Sequence, residues 1–134
     1  MTTPASAPAP FRHVAVIGLG LLGGSVARAV KTYAPDATVS GFDADATVRL
    51  RAREIALCDS IAESAGDAVR EADLVVLCVP VGAMGAAARA LAADLPHGAL
   101  VTDVGSSKSS VARALAEATP GHAVIPAHPV AGTE

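Results

Sequence analysis

The sequence has no cluster of lysine and arginine residues. It contains 10 basic residues against 13 acidic ones in 134 residues, and the formal net charge is -3. A protein that binds nucleic acid through the phosphate backbone needs a basic surface to neutralise that charge. The charge distribution therefore argues against nucleic acid as a partner.

Cysteine is also scarce, since only Cys58 and Cys78 are present. They stand in unlike surroundings, and neither has a metal-ligand spacing to a histidine. We interpret them as free buried thiols, with a disulfide or a metal site as the minority alternative. No metal is expected.

Long hydrophobic runs are missing as well, although 51% of the residues are hydrophobic and the mean hydropathy is +0.46. The longest uncharged stretches have 14 residues between His13 and Arg28 and 15 residues between Asp73 and Arg89. A membrane-spanning helix needs about 20 apolar residues, so neither stretch predicts a span. The first resembles the apolar part of a signal peptide, but its glycine spacing indicates another role.

The length allows one domain, because domains usually hold about 100–200 residues. Short apolar runs predict buried strands at residues 14–17, 38–42, 74–79, 99–104 and 123–127. The segments between these strands have helical periodicity. This alternation predicts a doubly wound parallel α/β sheet of the Rossmann type. We assign residues 12–134 to this domain and residues 1–11 to a disordered tail.

Apolar residues at helical spacing mark the faces expected to be buried. In the first helix they are Leu22, Val26, Ala29, Val30 and Tyr33. In the helix before the fourth predicted strand they are Met84, Ala88, Leu91 and Leu95. Ser60 and Glu63 have the spacing of a capping box and predict the start of a short helix.

A glycine-rich segment, GLGLLGG, lies between the first strand and the first helix. Gly18, Gly20 and Gly23 match G-x-G-x-x-G in the position that a dinucleotide fingerprint requires. Gly18 would permit the tight turn, Gly20 would let a pyrophosphate approach the backbone, and Gly23 would let the helix pack closely. The helix N-terminus, with Leu21 and Leu22, would present N–H groups to the phosphates. The alternative is an ordinary strand-to-helix turn.

Asp43 follows Gly23 by 20 residues, at the end of the second strand. A carboxylate there accepts hydrogen bonds from the adenosine ribose, and it repels a 2′-phosphate. The pair of motifs therefore predicts NAD, with NADP disfavoured. The alternative is that Asp43 or Asp45 only caps the next helix. A nucleoside-triphosphate phosphate loop is disfavoured, because Gly24 stands where its lysine would be.

A second group of candidate residues follows the later strands at the same edge of the sheet. Val79 and Pro80 end the third strand, either as a wall beside the nicotinamide or as a simple strand terminator. Ser106 or Ser107 either caps a helix or directs a hydroxyl toward a substrate. His128 follows the last strand and is either a general base or a structural residue.

The motifs GLGLLGGSVARAVK, GFD, LCVPV, TDVGSSK and HPVAGTE together resemble the amino-terminal half of the prephenate/arogenate (cyclohexadienyl) dehydrogenase family. The resemblance covers the chain from about His13 to its end. The glycine motif is shared by many dinucleotide enzymes, whereas the last two motifs are much more specific to this family.

The resemblance implies an NAD(P)-dependent oxidative decarboxylation of prephenate or arogenate in tyrosine biosynthesis, in the cytoplasm. By the same resemblance, His128 matches the catalytic histidine and Ser106 the serine that bonds the ring hydroxyl of the substrate. Thr133 and Glu134 match positions at the substrate edge of the pocket.

The chain departs from the family in its length. Family members continue into a helical second domain that supplies dimer contacts and basic residues for the substrate carboxylates. Only Lys108 is basic in the late motifs, so we expect a truncated cofactor domain and a homodimer only for the full-length protein. The alternatives are a dinucleotide-binding fragment or regulatory module without catalysis, and another NAD-dependent reductase of related fold.

Overall fold

The computed structural model describes residues 10–104 and 108–126, with the backbone alone for residues 108–112 and 126. Strands and helices alternate along these residues. The strands are β1 (His13–Ile17), β2 (Thr38–Phe42), β3 (Ser60–Ile61), β4 (Leu74–Leu77), β5 (Leu100–Asp103) and β6 (Val124–Pro126). The helices are α1 (Leu21–Tyr33), α2 (Ala46–Glu54), α3 (Ala65–Val69), α4 (Met84–Leu91) and α5 (Lys108–Ala118). Short 3-10 turns at Val81–Ala83 and Ala92–Asp94 flank α4.

These six strands form one parallel sheet in the order β3-β2-β1-β4-β5-β6. The chain builds outward from β1 to one edge, returns to β4 beside β1, and builds to the other edge. This is the strand order of the doubly wound Rossmann fold, so the predicted fold class is confirmed. The loops after β1 and β4 leave in opposite directions, which opens a crevice at the carboxyl ends of these two strands.

The central strand β1 is apolar on both faces because helices cover both sides of the sheet. Ala15 and Ile17 belong to the core cluster that also contains Met84 and Leu91 of α4. Val14 and Val16 belong to the opposite core cluster, which contains Ala27 of α1 and Ala52 of α2. Burial on both faces explains the uninterrupted apolar run that predicted this strand.

The predicted buried face of α4 is confirmed, whereas that of α1 holds only for Val26 and Val30, which are partly buried against the core cluster of Val14 and Val16. Met84, Ala88 and Leu91 are fully buried, and Leu95 beyond the helix is also buried. In α1 the buried residues are Gly23 and Ala27, while Tyr33 and Leu22 of the predicted face are exposed. The periodicity favoured large apolar side chains, but this helix packs through small residues that allow a close approach to the sheet.

The predicted capping box at Ser60 and Glu63 is also wrong. Ser60 belongs to β3, a strand of two residues that pairs with β2 and that the sequence did not predict. Ser64 caps α3 instead, where its hydroxyl accepts a hydrogen bond from the backbone N–H of Asp67 at 3.1 Å. A strand of two residues is too short for an alternation of polar and apolar residues, so its sequence carries no strand signal.

The described residues include Phe11, the last residue assigned to the tail. Its side chain is half-buried and packs against the core cluster of Val14 and Val16. Residues 1–9 of the predicted tail lie outside the described residues. Across residues 10–104 and 108–126, each helix is too short or too polar to traverse a bilayer.

Candidate nucleotide-binding site

A cavity of about 990 Å³ lies at the carboxyl edge of the sheet, where the loops that follow β1 and β4 diverge. Backbone hydrogen bonds hold the loops at this edge to neighbouring strands. The N–H of Gly18 donates to the carbonyl of Phe42 at 2.8 Å, and the N–H of Cys78 donates to the carbonyl of Ile17 at 2.7 Å. The predicted cofactor residues that line the cavity are Gly18, Gly20, Leu21, Leu22, Asp43, Val79 and Pro80. Gly23, the eighth predicted residue, supports the loop from behind.

Gly18 has a backbone conformation that excludes a side chain. Its φ is +96°, and a Cβ atom built on it would lie 2.6 Å from the carbonyl oxygen of Cys78. Both facts require glycine, because other residues avoid this region and because backbone atoms cannot move aside. The chain therefore turns tightly from β1 into α1 and passes directly over the end of β4.

Gly23 and Gly20 have opposite surroundings. A Cβ atom on Gly23 would overlap the backbone carbonyl of Gly18, so only glycine lets α1 pack this closely. A Cβ atom on Gly20 would meet no protein atom within 4 Å, and Gly20 lines the cavity. The space above Gly20 is therefore open to a ligand that approaches the backbone.

The N-terminus of α1 points its first N–H groups toward this open space. Gly20 is the N-cap residue, and among the described residues no side chain caps the helix. The first turn contains no acidic residue, so the positive end of the helix dipole is not neutralised locally. Leu21 is 90% exposed and lines the cavity together with Leu22. These features suit an anionic group with an apolar neighbour.

The Asp43 carboxylate joins two loops at the cavity wall. Its Oδ2 accepts the N–H of Leu19 in the glycine loop at 2.8 Å, and its Oδ1 accepts the N–H of Asp45 at 2.9 Å. Asp45, by contrast, caps α2 by accepting the N–H of Thr47 at 2.8 Å. Each oxygen of Asp43 retains a lone pair, so the carboxylate can accept further hydrogen bonds from a ligand.

Val79 and Pro80 follow the end of a strand and also form part of the cavity wall. β4 ends at Leu77, and Pro80 precedes a 3-10 turn, so the proline lies just beyond the end of the strand. Both residues also line the cavity. A residue that terminates a strand at this edge necessarily contributes to the cavity wall.

The two thiols are free, with Cys58 buried and Cys78 half-buried. Burial raises the pKa of Cys78 to about 12, and the negative charge of Asp103 adds to the shift. Burial likewise raises the pKa of Cys58 to about 11, with Lys31 opposing it and Asp59 adding to it. Both groups therefore stay protonated at neutral pH, and neither is an activated nucleophile.

One wall of the cavity has no signal in the sequence, and no role was predicted for Asp103. The wall consists of short side chains from α3, from the turn before α4 and from α4, namely Ala65, Ala83, Ala86, Ala87 and Ala90. Alanine reads as a helix former, so only the topology reveals that this face borders a cavity. Asp103 is fully buried at the end of β5. Its position could have been noticed in the sequence, because a carboxylate there ends a predicted buried strand at the same edge of the sheet.

Several predicted site residues lie outside the described residues. They are Ser106, Ser107, His128, Thr133 and Glu134. Their roles therefore stay predictions. The described part of the site comprises the glycine loop, the Asp43 turn and the walls after β4 and on α4.

Comparison with known proteins agrees with this geometry. Residues 26–134 match the family model described as prephenate dehydrogenase, nucleotide-binding domain. The chain is 52% identical over 124 residues to cyclohexadienyl dehydrogenase of Zymomonas mobilis, a match that covers 92% of this chain and 42% of that protein. The chain spans 33–42% of the length of the curated relatives it matches.

Solved structures of the same family share the fold. Prephenate dehydrogenase from Aquifex aeolicus, in complex with hydroxyphenyl propionate and NAD+, superposes with a TM-score of 0.82 at 27% identity, over 97% of this chain and 45% of that one. Arogenate dehydrogenase from Synechocystis gives a TM-score of 0.79 at 28% identity, over 90% of this chain and 42% of that one. The chain belongs to the prephenate dehydrogenase family and comprises its nucleotide-binding domain.

Proposed function

We propose that the cavity binds NAD. The pyrophosphate would lie over Gly20 at the N-terminus of α1, where a Cβ atom would meet only empty space. The adenosine ribose hydroxyls would donate hydrogen bonds to Asp43, whose oxygens have lone pairs left. Val79 and Pro80 would border the nicotinamide half, and Leu21 and Leu22 the mouth of the cavity.

Asp43 also favours NAD over NADP. A 2′-phosphate on the ribose would bring its negative charge against the Asp43 carboxylate, and like charges at short distance repel strongly. The related Aquifex aeolicus enzyme was solved with NAD+, which supports the same choice.

The proposed reaction is the oxidative decarboxylation of prephenate, of arogenate or of both, in tyrosine biosynthesis. The names of the relatives support this reaction class, since they are cyclohexadienyl, prephenate and arogenate dehydrogenases. NAD, when bound, supplies the acceptor for the hydride that leaves C4 of the substrate ring. Loss of the ring carboxyl group as carbon dioxide makes the ring aromatic, which drives the reaction forward.

The chain's own residues would orient the substrate and take up one proton. Neutral His128 is proposed to accept the proton of the C4 hydroxyl, because an unperturbed histidine has a pKa of about 6.5. Ser106 is proposed to hydrogen-bond the same hydroxyl and so to keep it in line with the histidine. Thr133 and Glu134 are proposed to lie at the substrate edge of the pocket. These four assignments rest on the motifs TDVGSSK and HPVAGTE.

The observation that carries the proposal is the glycine loop and Asp43 facing one cavity at the switch point of the sheet. The test follows the absorbance of NADH with the full-length protein, given prephenate or arogenate together with NAD. We expect activity with NAD that exceeds activity with NADP, and a large loss in His128→Asn. A His97→Asn variant is the control, since this exposed histidine precedes the amino end of β5, at the edge of the sheet opposite the cavity. Wild-type activity in His128→Asn would remove this histidine from the mechanism.

We further propose a homodimer for the full-length protein and a cytoplasmic location. Both proposals rest on the resemblance to the family alone. Sedimentation of the full-length protein tests the first, and a monomer at all concentrations would contradict it.

A further inference from the structure

Arg49 of α2 contacts three consecutive residues of the cavity wall from behind. Its Nη1 donates to the carbonyl oxygen of Asp43 at 2.8 Å and to that of Ala44 at 3.2 Å. Its Cζ atom lies 5.7 Å from the ring centroid of Phe42. Phe42, Asp43 and Ala44 all line the cavity, whereas Arg49 does not. One guanidinium therefore supports the whole turn that carries the ribose-binding carboxylate.

The Arg49 side chain is largely withdrawn from solvent, with 15% of its surface exposed. Its Nη2 lies 3.4 Å from Oε2 of Glu63, which also pairs with Arg53. Glu63 is 65% exposed, so this ion pair contributes little on its own. The bond to the Asp43 carbonyl is the stronger contact, because it is short, charge-assisted and partly buried, whereas the bond to Ala44 is longer and exposed.

Asp43 is thereby fixed at both of its ends. Its carboxylate is held by the N–H groups of Leu19 and Asp45, and its carbonyl is held by Arg49. We propose that Arg49 is a positioning residue that sets the Asp43 carboxylate for the adenosine 2′-hydroxyl and so determines the preference for NAD over NADP. This inference rests on the proposed binding of NAD in the cavity.

A direct role of Arg49 as a phosphate ligand is the competing interpretation. An arginine near the end of the second strand accommodates the 2′-phosphate in NADP-binding relatives of this fold. Here Nη1 already donates to two carbonyls and Nη2 faces Glu63, so both of these nitrogens already have acceptors in the protein. The two roles predict opposite effects on NADP binding.

The test measures dissociation constants by titration calorimetry on the full-length protein. Three ligands are compared: NAD, an analogue of NAD that lacks the adenosine 2′-hydroxyl, and NADP. The variants are Arg49→Met, which keeps the length of the side chain but has no donor, and Arg49→Lys. Arg51→Met is the matched control, because Arg51 lies on the same helix, is 71% exposed and pairs with the exposed Glu54.

Arg49→Met is expected to raise the dissociation constant of NAD about tenfold and that of the 2′-deoxy analogue about twofold or less. A general loss of packing would not produce this difference. Arg49→Lys should give an intermediate loss for NAD, because a single ammonium group lacks the planar fork of arginine. Asp43→Asn should cost little further affinity for NAD in the Arg49→Met background, since both changes remove the same contact. Arg51→Met should bind all three ligands as the wild type does.

Equal weakening of NAD and of the 2′-deoxy analogue would overturn the inference, as would a larger loss for NADP than for NAD. If Arg49→Met does not fold, the same comparison is made with Arg49→Lys, and unchanged NAD affinity there overturns the inference as well. A wild-type protein that binds none of the three ligands would instead refute the proposed function. Wild-type binding with no effect of either variant would refute the inference and leave the proposed function standing.

Discussion

At the residue scale, the three glycines of the loop meet two different requirements, the packing of the chain and the space for a ligand, which the sequence motif does not distinguish. Gly18 is required by its φ of +96° and by the Cys78 carbonyl, and Gly23 by the Gly18 carbonyl. At Gly20 a Cβ atom would meet no atom of the described residues within 4 Å, so their packing does not require glycine there. Its place in the motif is therefore explained by a ligand, which makes it the position where binding and folding can be tested separately.

Neighbouring glycines in α1 allow this reasoning to be tested on stability. Gly23→Ala should lower the free energy of unfolding by about 1–3 kcal/mol, because the new methyl group would overlap the Gly18 carbonyl. Gly24→Ala should raise it by about 0.4–1 kcal/mol, since a Cβ atom there meets nothing within 4 Å and alanine favours the helix. Urea denaturation of the two variants checks both signs. A Gly23→Ala variant as stable as Gly24→Ala would contradict the close packing of α1.

Spacing along the sequence predicted the position of one charged residue near the cavity, Asp43, but not that of another, Arg49. The distance from Gly23 to Asp43 along the chain predicted a carboxylate at the end of β2, and the structure places Asp43 at the cavity wall. Nothing in the spacing distinguished Arg49 from Arg51 or Arg53. Only the packing of α2 directs the guanidinium of Arg49 toward the turn, that of Arg53 toward the Ile61 carbonyl of β3 and that of Arg51 toward solvent.

At the scale of elements, the quality of each prediction followed the size of the side chains that are buried. α4 buries Met84, Ala88 and Leu91, and its face was predicted correctly. α1 buries Gly23 and Ala27, which the predicted face omitted, while only Val26 and Val30 of the predicted face pack against the core. Hydrophobic periodicity weights large apolar residues, so it fails where close approach rather than apolar volume decides the packing. The close packing of α1 on the sheet also shapes the crevice, because this helix begins directly against the end of β4.

The buried face of α4 supports one wall of the cavity. Leu91 is fully buried, and Leu91→Ala should lower the free energy of unfolding by about 2–5 kcal/mol through lost burial and the cavity left behind. Leu50→Ala is the control, since Leu50 is 56% exposed on α2 and should change stability by about 0.5 kcal/mol or less. Chemical denaturation monitored by circular dichroism measures both. Similar losses in the two variants would contradict the assignment of Leu91 to the core.

The central strands were predicted well and one edge of the sheet poorly. β1 and β2 match their predicted ranges to within one residue; β1 is a buried apolar run, and β2 alternates buried and more exposed residues. β3 was not predicted, because a strand of two residues is too short to show an alternation of polar and apolar residues. Its importance lies elsewhere: it leads into the turn with Glu63, which faces Arg49. An element without a sequence signal thus contributes to the environment of a residue that the sequence also missed.

At the scale of the whole molecule, the cavity lies between the two halves of the doubly wound sheet. The glycine loop and the Asp43 turn follow strands of the first half, and Val79, Pro80 and the alanine wall on α4 belong to the second half. Backbone hydrogen bonds continue across this boundary, from Cys78 to Ile17 at 2.7 Å. A ligand that contacts both halves would therefore bind only the folded chain.

Binding only to the folded state makes stability a measure of cofactor choice. NAD at about 100 times its dissociation constant should add about 2.7 kcal/mol to the free energy of unfolding. NADP at the same concentration should add less, because its 2′-phosphate meets the Asp43 carboxylate. In Asp43→Asn the two cofactors should stabilise the protein more equally, since the amide keeps an acceptor oxygen but carries no charge.

Thermal unfolding of the full-length protein with and without each cofactor measures these differences. The comparison uses the shift that a cofactor causes in each variant, so the change in stability of the cofactor-free protein cancels, including the part caused by altered hydrogen bonds from the N–H groups of Leu19 and Asp45. Asp36→Asn is the control, because Asp36 is exposed in the turn before β2 and does not line the cavity. Equal shifts for NAD and NADP in the wild type would show that charge at residue 43 does not select the cofactor. Equal shifts in the wild type and in Asp43→Asn would move the ribose away from this carboxylate.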